Sequence, residues 1–284
     1  GTSQRAASVL AEILPPADTR ALPVSPRPTL HPLWTSKHAL PKELQTYWSD
    51  WRQSYRTEGA WLNPVAEPLI VGNKVIVPTL TGLVAHDAEL PKVHWHILHD
   101  DWQRVVPKLE KGDSFENRDW RSHILDQLVR RESADSILGR AATDGQRIFA
   151  VSSSVGTELD RLVPRSGTNS ALRDDGPVIP LENRLSAYDV ETGDLVWRIG
   201  GPSAGPTYPF AQMFFCGLPC VVDSTLYIVG QQDSELRLIA VDATRGEGLW
   251  STVLGDVPRS LSADPLRQRT ACPVIWDDGT LIVT

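Results

Sequence analysis

Hydrophobic and polar positions alternate with a period of two over most of the chain beyond Pro64, in short runs broken by Gly, Asp, Asn and Thr. That period predicts strands whose successive side chains face opposite sides of a sheet. Four runs share one form, apolar residues around a central turn: EPLIVGNKVIV, TDGQRIFAV, CVVDSTLYIV and CPVIWDDGTLIV. About a dozen residues after the first and third, and after a longer interval from the second, comes a second recurrent piece, A-x-D-x-x-x-G-x-x-x-W. It occurs intact as Ala187, Asp189, Gly193, Trp197 and as Ala240, Asp242, Gly246, Trp250. A third copy, Ala85, Asp87, Trp95, has Pro91 in place of the Gly. A fixed pattern repeated at this scale predicts an array of one small β unit.

The chemistry of one copy explains the residue types. In LSAYDVETGDLVW, Leu185, Ala187 and Asp189 alternate with Ser186 and Tyr188, so the two faces of the predicted strand see different surroundings. Asp189 opens a turn, Gly193 supplies the left-handed residue that closes a short hairpin, and Leu195 and Trp197 lie on the returning strand. The small Ala leaves room for the indole, which is large enough to seal one unit against the next.

These residues resemble the PQQ-like β-propeller repeat family, which holds the quinoprotein alcohol dehydrogenases and the propeller-type outer-membrane assembly lipoprotein. The resemblance covers roughly Pro64 to Thr284. It implies an all-β fold: a partial β-propeller of four-stranded antiparallel blades, with the motif spanning the third and fourth strands. It implies no quinone, because the motif fastens blades. The quinoproteins of the family carry an adjacent Cys-Cys pair and carboxylate and amide ligands for Ca²⁺; here Cys216 and Cys220 are four positions apart and no Ca²⁺ ligands stand out.

Outside the repeats the pattern turns helical. QRAASVLAEIL places Ala6, Val9, Leu10 and Ile13 on one stripe, and PKELQTYWSDWRQSY places Leu44, Tyr47, Trp48, Trp51 and Tyr55 on another, just after Pro41. NRDWRSHILDQLVRR forms a third stripe from Trp120, Ile124 and Leu128 with Leu125 and Val129. The organisation expected is a helical and linker segment over 1–62 and an incomplete propeller over 63–284. The propeller would hold three blades and the start of a fourth, a helical insertion at about 100–140 and a long loop at about 154–182. The chain opens on Gly-Thr and stops in TLIVT, which reads as the second strand of a new blade. It is therefore expected to be a fragment, with further blades beyond Thr284 covering otherwise open strand edges.

Composition narrows the function more than it names it. The chain has 284 residues with 22 Pro and 20 Gly, rich in turns without being low-complexity, and ten Trp, a large number for its length. The charge of −7 with no Lys/Arg cluster argues against nucleic acid as a partner. No run of 18 apolar residues is present, so no transmembrane helix is expected. In HWHILHDD, His94 and His96 flank the motif residue Trp95, with His99 and Asp100 nearby. The two histidines share one strand face, but zinc needs three or four convergent ligands, and no metal site is assigned. A Cys216–Cys220 bridge and buried free thiols are both open. There is no GxSxG, HExxH, Walker loop or CxxC, so no catalytic residue is assigned.

Spacing locates the candidate site. Ala85 to Ala187 spans 102 residues and Ala187 to Ala240 spans 53, against about 40–45 for a bare propeller repeat. The excess falls at about His99–Gly139, between blades, and at Ser154–Glu182, between second and third strands. In an up-and-down meander both positions lie at one end of the blades, with the links GGPSAGPTYPFAQ and GDVPRSLSADPLRQR. Loops on a rigid scaffold are where binding usually resides. The candidate binding face is therefore built from Arg161, Arg165, Arg173, Asp174, Asp175, Tyr208, Arg259 and Arg267. The expected function is a non-catalytic propeller, holding no cofactor, that presents this face to a protein or polymer partner. The alternative is a fragment of a PQQ- and Ca²⁺-dependent quinoprotein oxidoreductase. The resemblance implies a periplasmic or cell-envelope location.

Overall fold

The computed structural model describes residues 66–98 except 80, 135–153, 183–201, and 210–284 except 260, 262, 263, 265 and 269, together with five helical positions between 45 and 53. The chain divides into two compact units, Gly1–Thr35 and Ser36–Thr284. The helical stripes expected at QRAASVLAEIL and NRDWRSHILDQLVRR lie outside the described residues. Of the stripe after Pro41, Gln45, Thr46, Ser49, Asp50 and Gln53 are helical and exposed, and the Ser49 hydroxyl donates to the Gln45 carbonyl at 2.8 Å. These are the polar positions between the apolar ones, as the 3.6-residue period requires.

Beyond those helical positions, two four-stranded antiparallel sheets, a five-stranded one and a two-stranded hairpin make up the described part of the second unit. The first blade holds β1 (Leu69–Val71), β2 (Lys74–Thr79), β3 (Gly82–Asp87) and β4 (Val93–Leu98). The second holds β5 (Ala141–Thr143), β6 (Arg147–Ser153), β7 (Asn183–Asp189) and β8 (Leu195–Gly200). The third holds β9 (Phe214–Phe215) and β10 (Cys220–Val222), both paired to β11 (Thr225–Gln232), then β12 (Glu235–Asp242) and β13 (Gly248–Asp256). A two-stranded sheet of β14 (Val274–Asp277) and β15 (Thr280–Val283) follows. These are β-propeller blades, and the fold is all-β as the alternation predicts.

Register is the same in each blade. Ile76 pairs with Ala85 and Ala85 with Trp95; Phe149 with Ala187 and Ala187 with Trp197; Tyr227 with Ala240 and Ala240 with Trp250. Each Ala is fully buried at 0% exposure, which leaves only a methyl between two large cross-strand neighbours. The indole of Trp197 lies 5.8 Å from the Phe149 ring, and that of Trp250 lies 5.9 Å from the Tyr227 ring.

Each motif Asp builds its turn in the same way. One carboxylate oxygen accepts the backbone N–H groups two and three residues on: Glu89 and Leu90 for Asp87, Glu191 and Thr192 for Asp189, Thr244 and Arg245 for Asp242, all at 2.8–2.9 Å. Backbone donors favour the ionised form, so Asp87 and Asp189 are held below the ordinary carboxylate range. Gly193 and Gly246 take φ of +77° and +73° and donate back to the Asp189 and Asp242 carbonyls at 2.9 and 2.8 Å. Where Pro91 replaces the Gly, the Asp87 amide still donates to the Lys92 carbonyl at 2.9 Å, so the turn closes without a left-handed residue.

Successive blades are joined by one repeated contact. The Trp95 indole N–H donates to the Val190 carbonyl at 3.0 Å, and that of Trp197 to the Ala243 carbonyl at 2.9 Å. Each acceptor follows the motif Asp of the next blade. The same indoles lie face-on to the next turn's Gly: a Cβ at Gly193 would stand 2.8 Å from Trp95 Cδ2, and one at Gly246 2.7 Å from Trp197 Cδ2. Gly is therefore required here twice, for its backbone and for its missing side chain. Both faces of the Leu185–Tyr188 stretch are buried and see different surroundings, as alternation suggested: Leu185 and Ala187 lie in one core cluster and Tyr188 in another.

A second join uses a polar side chain. The Asn183 amide donates to the Phe215 carbonyl at 2.8 Å and its oxygen accepts the Phe215 N–H at 2.6 Å, so one buried side chain pairs with a whole peptide group of the next blade. Lys74 is also buried, at 4% exposure, and reaches Glu191 across the first seam at 2.6 Å.

Candidate functional site

Strand register puts the insertions and blade links at one end of each blade. Leu98 pairs with Gly82 beside the β2–β3 turn; Ser153 pairs with Asn183, and Arg184 with Gly200; Gln232 pairs with Glu235, and Glu235 with Asp256. The chain therefore leaves β4, β6, β8 and β13 at the end where second and third strands connect. The opposite end carries the short first-to-second turns and the Asp turns.

The described part of the loop end centres on the third blade. Asp233, at φ +53°, heads the two-residue turn between β11 and β12, and the Val257 N–H closes onto the Ser234 carbonyl at 2.6 Å. The Gln231 amide donates to the Asp233 carbonyl at 2.8 Å, and the Gln232 amide to the Ala211 carbonyl at 3.3 Å, which pins the incoming link to the turn. Phe210 and Gln212 in that link also have positive φ, at +63° and +60°. Non-glycine residues in this region cost of order 1–3 kcal/mol each and persist only where their surroundings hold them. Glu235 and Arg237 form an ion pair on the same rim.

Of the predicted binding residues, Arg259 and Arg267 are described, and they come together. The Arg267 guanidinium donates to the Arg259 carbonyl at 2.5 Å and lies 4.0 Å from the Asp264 carboxylate. Asp264 accepts the Arg267 backbone N–H at 3.2 Å, and the Gln268 side chain donates to the Leu261 carbonyl at 2.7 Å, with Leu261 buried in the core. The link is thus a folded, anchored loop that leaves the Arg259 side chain exposed and the Arg267 side chain half-buried. Arg161, Arg165, Arg173, Asp174, Asp175 and Tyr208 lie outside the described residues. Sequence reasoning passed over Asp264 and Gln232. The D-P-L-R run carried a usable signal for the first, because Asp three residues before a turn's end accepts backbone N–H groups.

The sulfur and imidazole chemistry is local. Cys216, Cys220 and Cys272 are free thiols, which resolves the open choice at Cys216 and Cys220 against a bridge. Burial pushes the Cys216 thiol up to about 12 and raises Cys220 and Cys272 as well. A thiolate is the reactive form, so iodoacetamide at pH 8 is expected to leave Cys216 unmodified in the native protein. Mapping by mass spectrometry checks this; labelling at Cys216 as fast as in urea would contradict its burial. His94 lies 3.2 Å from the Asp87 carboxylate. Among the described residues no group of three or more His, Cys, Asp or Glu is placed to share a metal ion. No described helix is long and apolar enough to cross a membrane.

The chain is similar to a europium-containing methanol dehydrogenase (13% identity, 68% of this chain and 26% of that one, TM-score 0.35). It is also similar to quinohemoprotein alcohol dehydrogenase from Comamonas testosteroni (14%, 67% and 21%, TM-score 0.38). A third similar structure is BamB from Moraxella catarrhalis (16%, 67% and 52%, TM-score 0.29). The chain spans about half or less of the length of each of these structures. No curated protein sequence matches it. Residues 118–284, well over half of the chain, match the family model described as outer membrane protein assembly factor BamB. The chain therefore belongs to this family of PQQ-like β-propellers.

Proposed function

We propose that this protein is a non-catalytic propeller scaffold of the cell envelope that offers the loop end of its blades to a protein or polymer partner. The observation that carries the reading is the asymmetry of the two ends. Every long connection leaves the blades at one end, whereas the other is closed by turns of a few residues whose polar groups are spent on one another. Rigid strands with the variable chain at a single end form an arrangement suited to recognition. The exposed Arg259 and the Glu235–Arg237 pair give that rim polar, mixed-charge chemistry suited to a protein surface. The family description, which names outer membrane assembly, supports an envelope setting and a protein partner.

Site-specific photo-crosslinking in cells tests this. Benzoylphenylalanine at position 233 or 259, on the loop end, is expected to give discrete adducts, while the same probe at 192 or 244, on the turn end, gives none. Adducts confined to the turn end would overturn the assignment. Stoichiometric uptake of PQQ with Ca²⁺, accompanied by dye-coupled oxidation of alcohols, would replace the scaffold with an oxidoreductase.

A further inference from the structure

Two cysteines distant in sequence meet where the chain entering the third blade runs beside the chain entering the β14–β15 hairpin. The Cys272 N–H donates to the Cys216 carbonyl at 2.6 Å. That bond holds the two Cα atoms within about 6.5 Å of each other, inside the span that a disulfide bridges. Gly217 permits the approach, since a Cβ on it would stand 2.1 Å from the Cys272 carbonyl oxygen. The chain is fixed from a further side by the Ser136 hydroxyl, which accepts the Ala271 N–H at 2.7 Å.

Register separates Cys216 from Cys220. Cys272 lies beside Cys216, and four residues on in both chains the Trp276 N–H lies on the Cys220 sulfur. The two chains therefore run parallel at a constant offset, and Cys220 has Trp276 beside it where Cys216 has a second thiol. Cys216 is 2% exposed in the core shared by the second and third blades, and Cys272 packs against that same core. The Cys216 thiol donates to the Phe214 carbonyl at 3.3 Å and the Cys272 thiol to the Thr284 carbonyl at 3.1 Å. A thiol is a weak donor, so turning either sulfur toward the other gives up little.

We propose that Cys216 and Cys272 close a disulfide that staples the third blade to the β14–β15 hairpin when the protein meets a disulfide oxidant. The Cys272 thiolate, from the less buried of the pair, attacks one sulfur of the oxidant, forms a mixed disulfide with that half and releases the other half as a thiolate. The Cys216 thiolate then attacks the Cys272 sulfur and releases the second half. Two protein thiols give up two electrons and two protons, and the sulfur–sulfur bond of the oxidant becomes two thiols. The bridge closes the whole of the third blade into one loop, which removes freedom from the unfolded chain. Burial keeps the Cys216 thiolate scarce, so closure in the folded protein is slow at pH 7 and quickens as pH rises.

The test holds the full chain in glutathione disulfide at pH 8.5 until its thiol content is constant, then unfolds it, alkylates it with N-ethylmaleimide and maps it by mass spectrometry. Two of the three thiols are expected to be lost, with Cys220 alkylated. The bridge should persist in Cys220→Ala and disappear in Cys216→Ala. It should disappear equally in Cys272→Ala, which leaves the buried position intact. The bridged protein is expected to unfold at a midpoint higher by roughly 5–15 °C, and dithiothreitol should abolish the gain. Three thiols persisting at constant content, a bridge that includes Cys220, bridging between chains alone, or a midpoint unchanged by bridging would each overturn the proposal.

Discussion

Trp197→Ala is expected to lower the unfolding free energy by about 3–5 kcal/mol, the range for truncating a large buried aromatic. Trp250→Ala in the same chain should cost less than half as much. The motif position is identical, so the difference comes only from what surrounds each indole. Trp197 is 8% exposed, packs on Phe149, lies on Gly246 and donates to the Ala243 carbonyl. Its removal opens a cavity between two blades and strands that carbonyl, a loss of about 1–3 kcal/mol for a buried polar group without a partner. Trp250 is 45% exposed and has the Tyr227 ring as its aromatic neighbour on the blade. Urea unfolding of the two variants, followed by circular dichroism, measures the contrast. Equal losses would mean that the indoles stabilise their own blades and not the seams.

The repeat was legible because each of its residues answers a local demand that recurs. The turn takes a carboxylate for two N–H groups and, at 193 and 246, a left-handed residue, and an Ala stands where two large side chains meet across the strands. Asp189, Gly193 and Ala187 meet those demands within eleven residues, so the pattern could be read without knowing what it touches. Alternation told that the two faces of this strand differ but not what each meets, because that comes from another blade. Leu185 and Ala187 lie in one core cluster and Tyr188 in another, with Tyr188 2% and Ser186 0% exposed. Asn183 gives no sequence signal for its role, since a single polar residue at a strand start looks like any loop edge until Phe215 is seen beside it.

The candidate site was legible to a different degree. Loop length and strand parity suffice to assign an end of the blade, because an up-and-down meander leaves no freedom in where its connections emerge. The side chains that make up the surface follow from how each loop folds back, and that depends on contacts far away in sequence. Arg259 and Arg267 both belong to the predicted binding face, but Arg267 spends its guanidinium on the Arg259 carbonyl and on Asp264. It therefore acts chiefly to hold the loop, and Arg259 is the one of the two whose side chain stays exposed.

Gly246→Val is expected to destabilise by about 2–5 kcal/mol, the sum of a left-handed backbone forced on a β-branched residue and an overpacked seam. Gly279→Val provides the backbone cost alone. Its φ of +83° is close to the +73° of Gly246, but a Cβ at Gly279 meets nothing within 4 Å, whereas one at Gly246 stands 2.7 Å from the Trp197 ring. The gap between the two variants thus reports the indole contact free of conformational strain. A double-mutant cycle sharpens it. If the Gly exists to let the indole lie flat, Gly246→Ala should be less harmful once Trp197→Ala has emptied the space, with a coupling of about 0.5–3 kcal/mol. Additive losses would instead make the left-handed turn the whole reason for the Gly. The Pro91 turn, which closes through Asp87 and Lys92 without a left-handed residue, argues that the turn alone does not demand one. What demands a Gly is an indole arriving from the preceding blade, and the two positions where one arrives among the described residues, 193 and 246, both carry Gly.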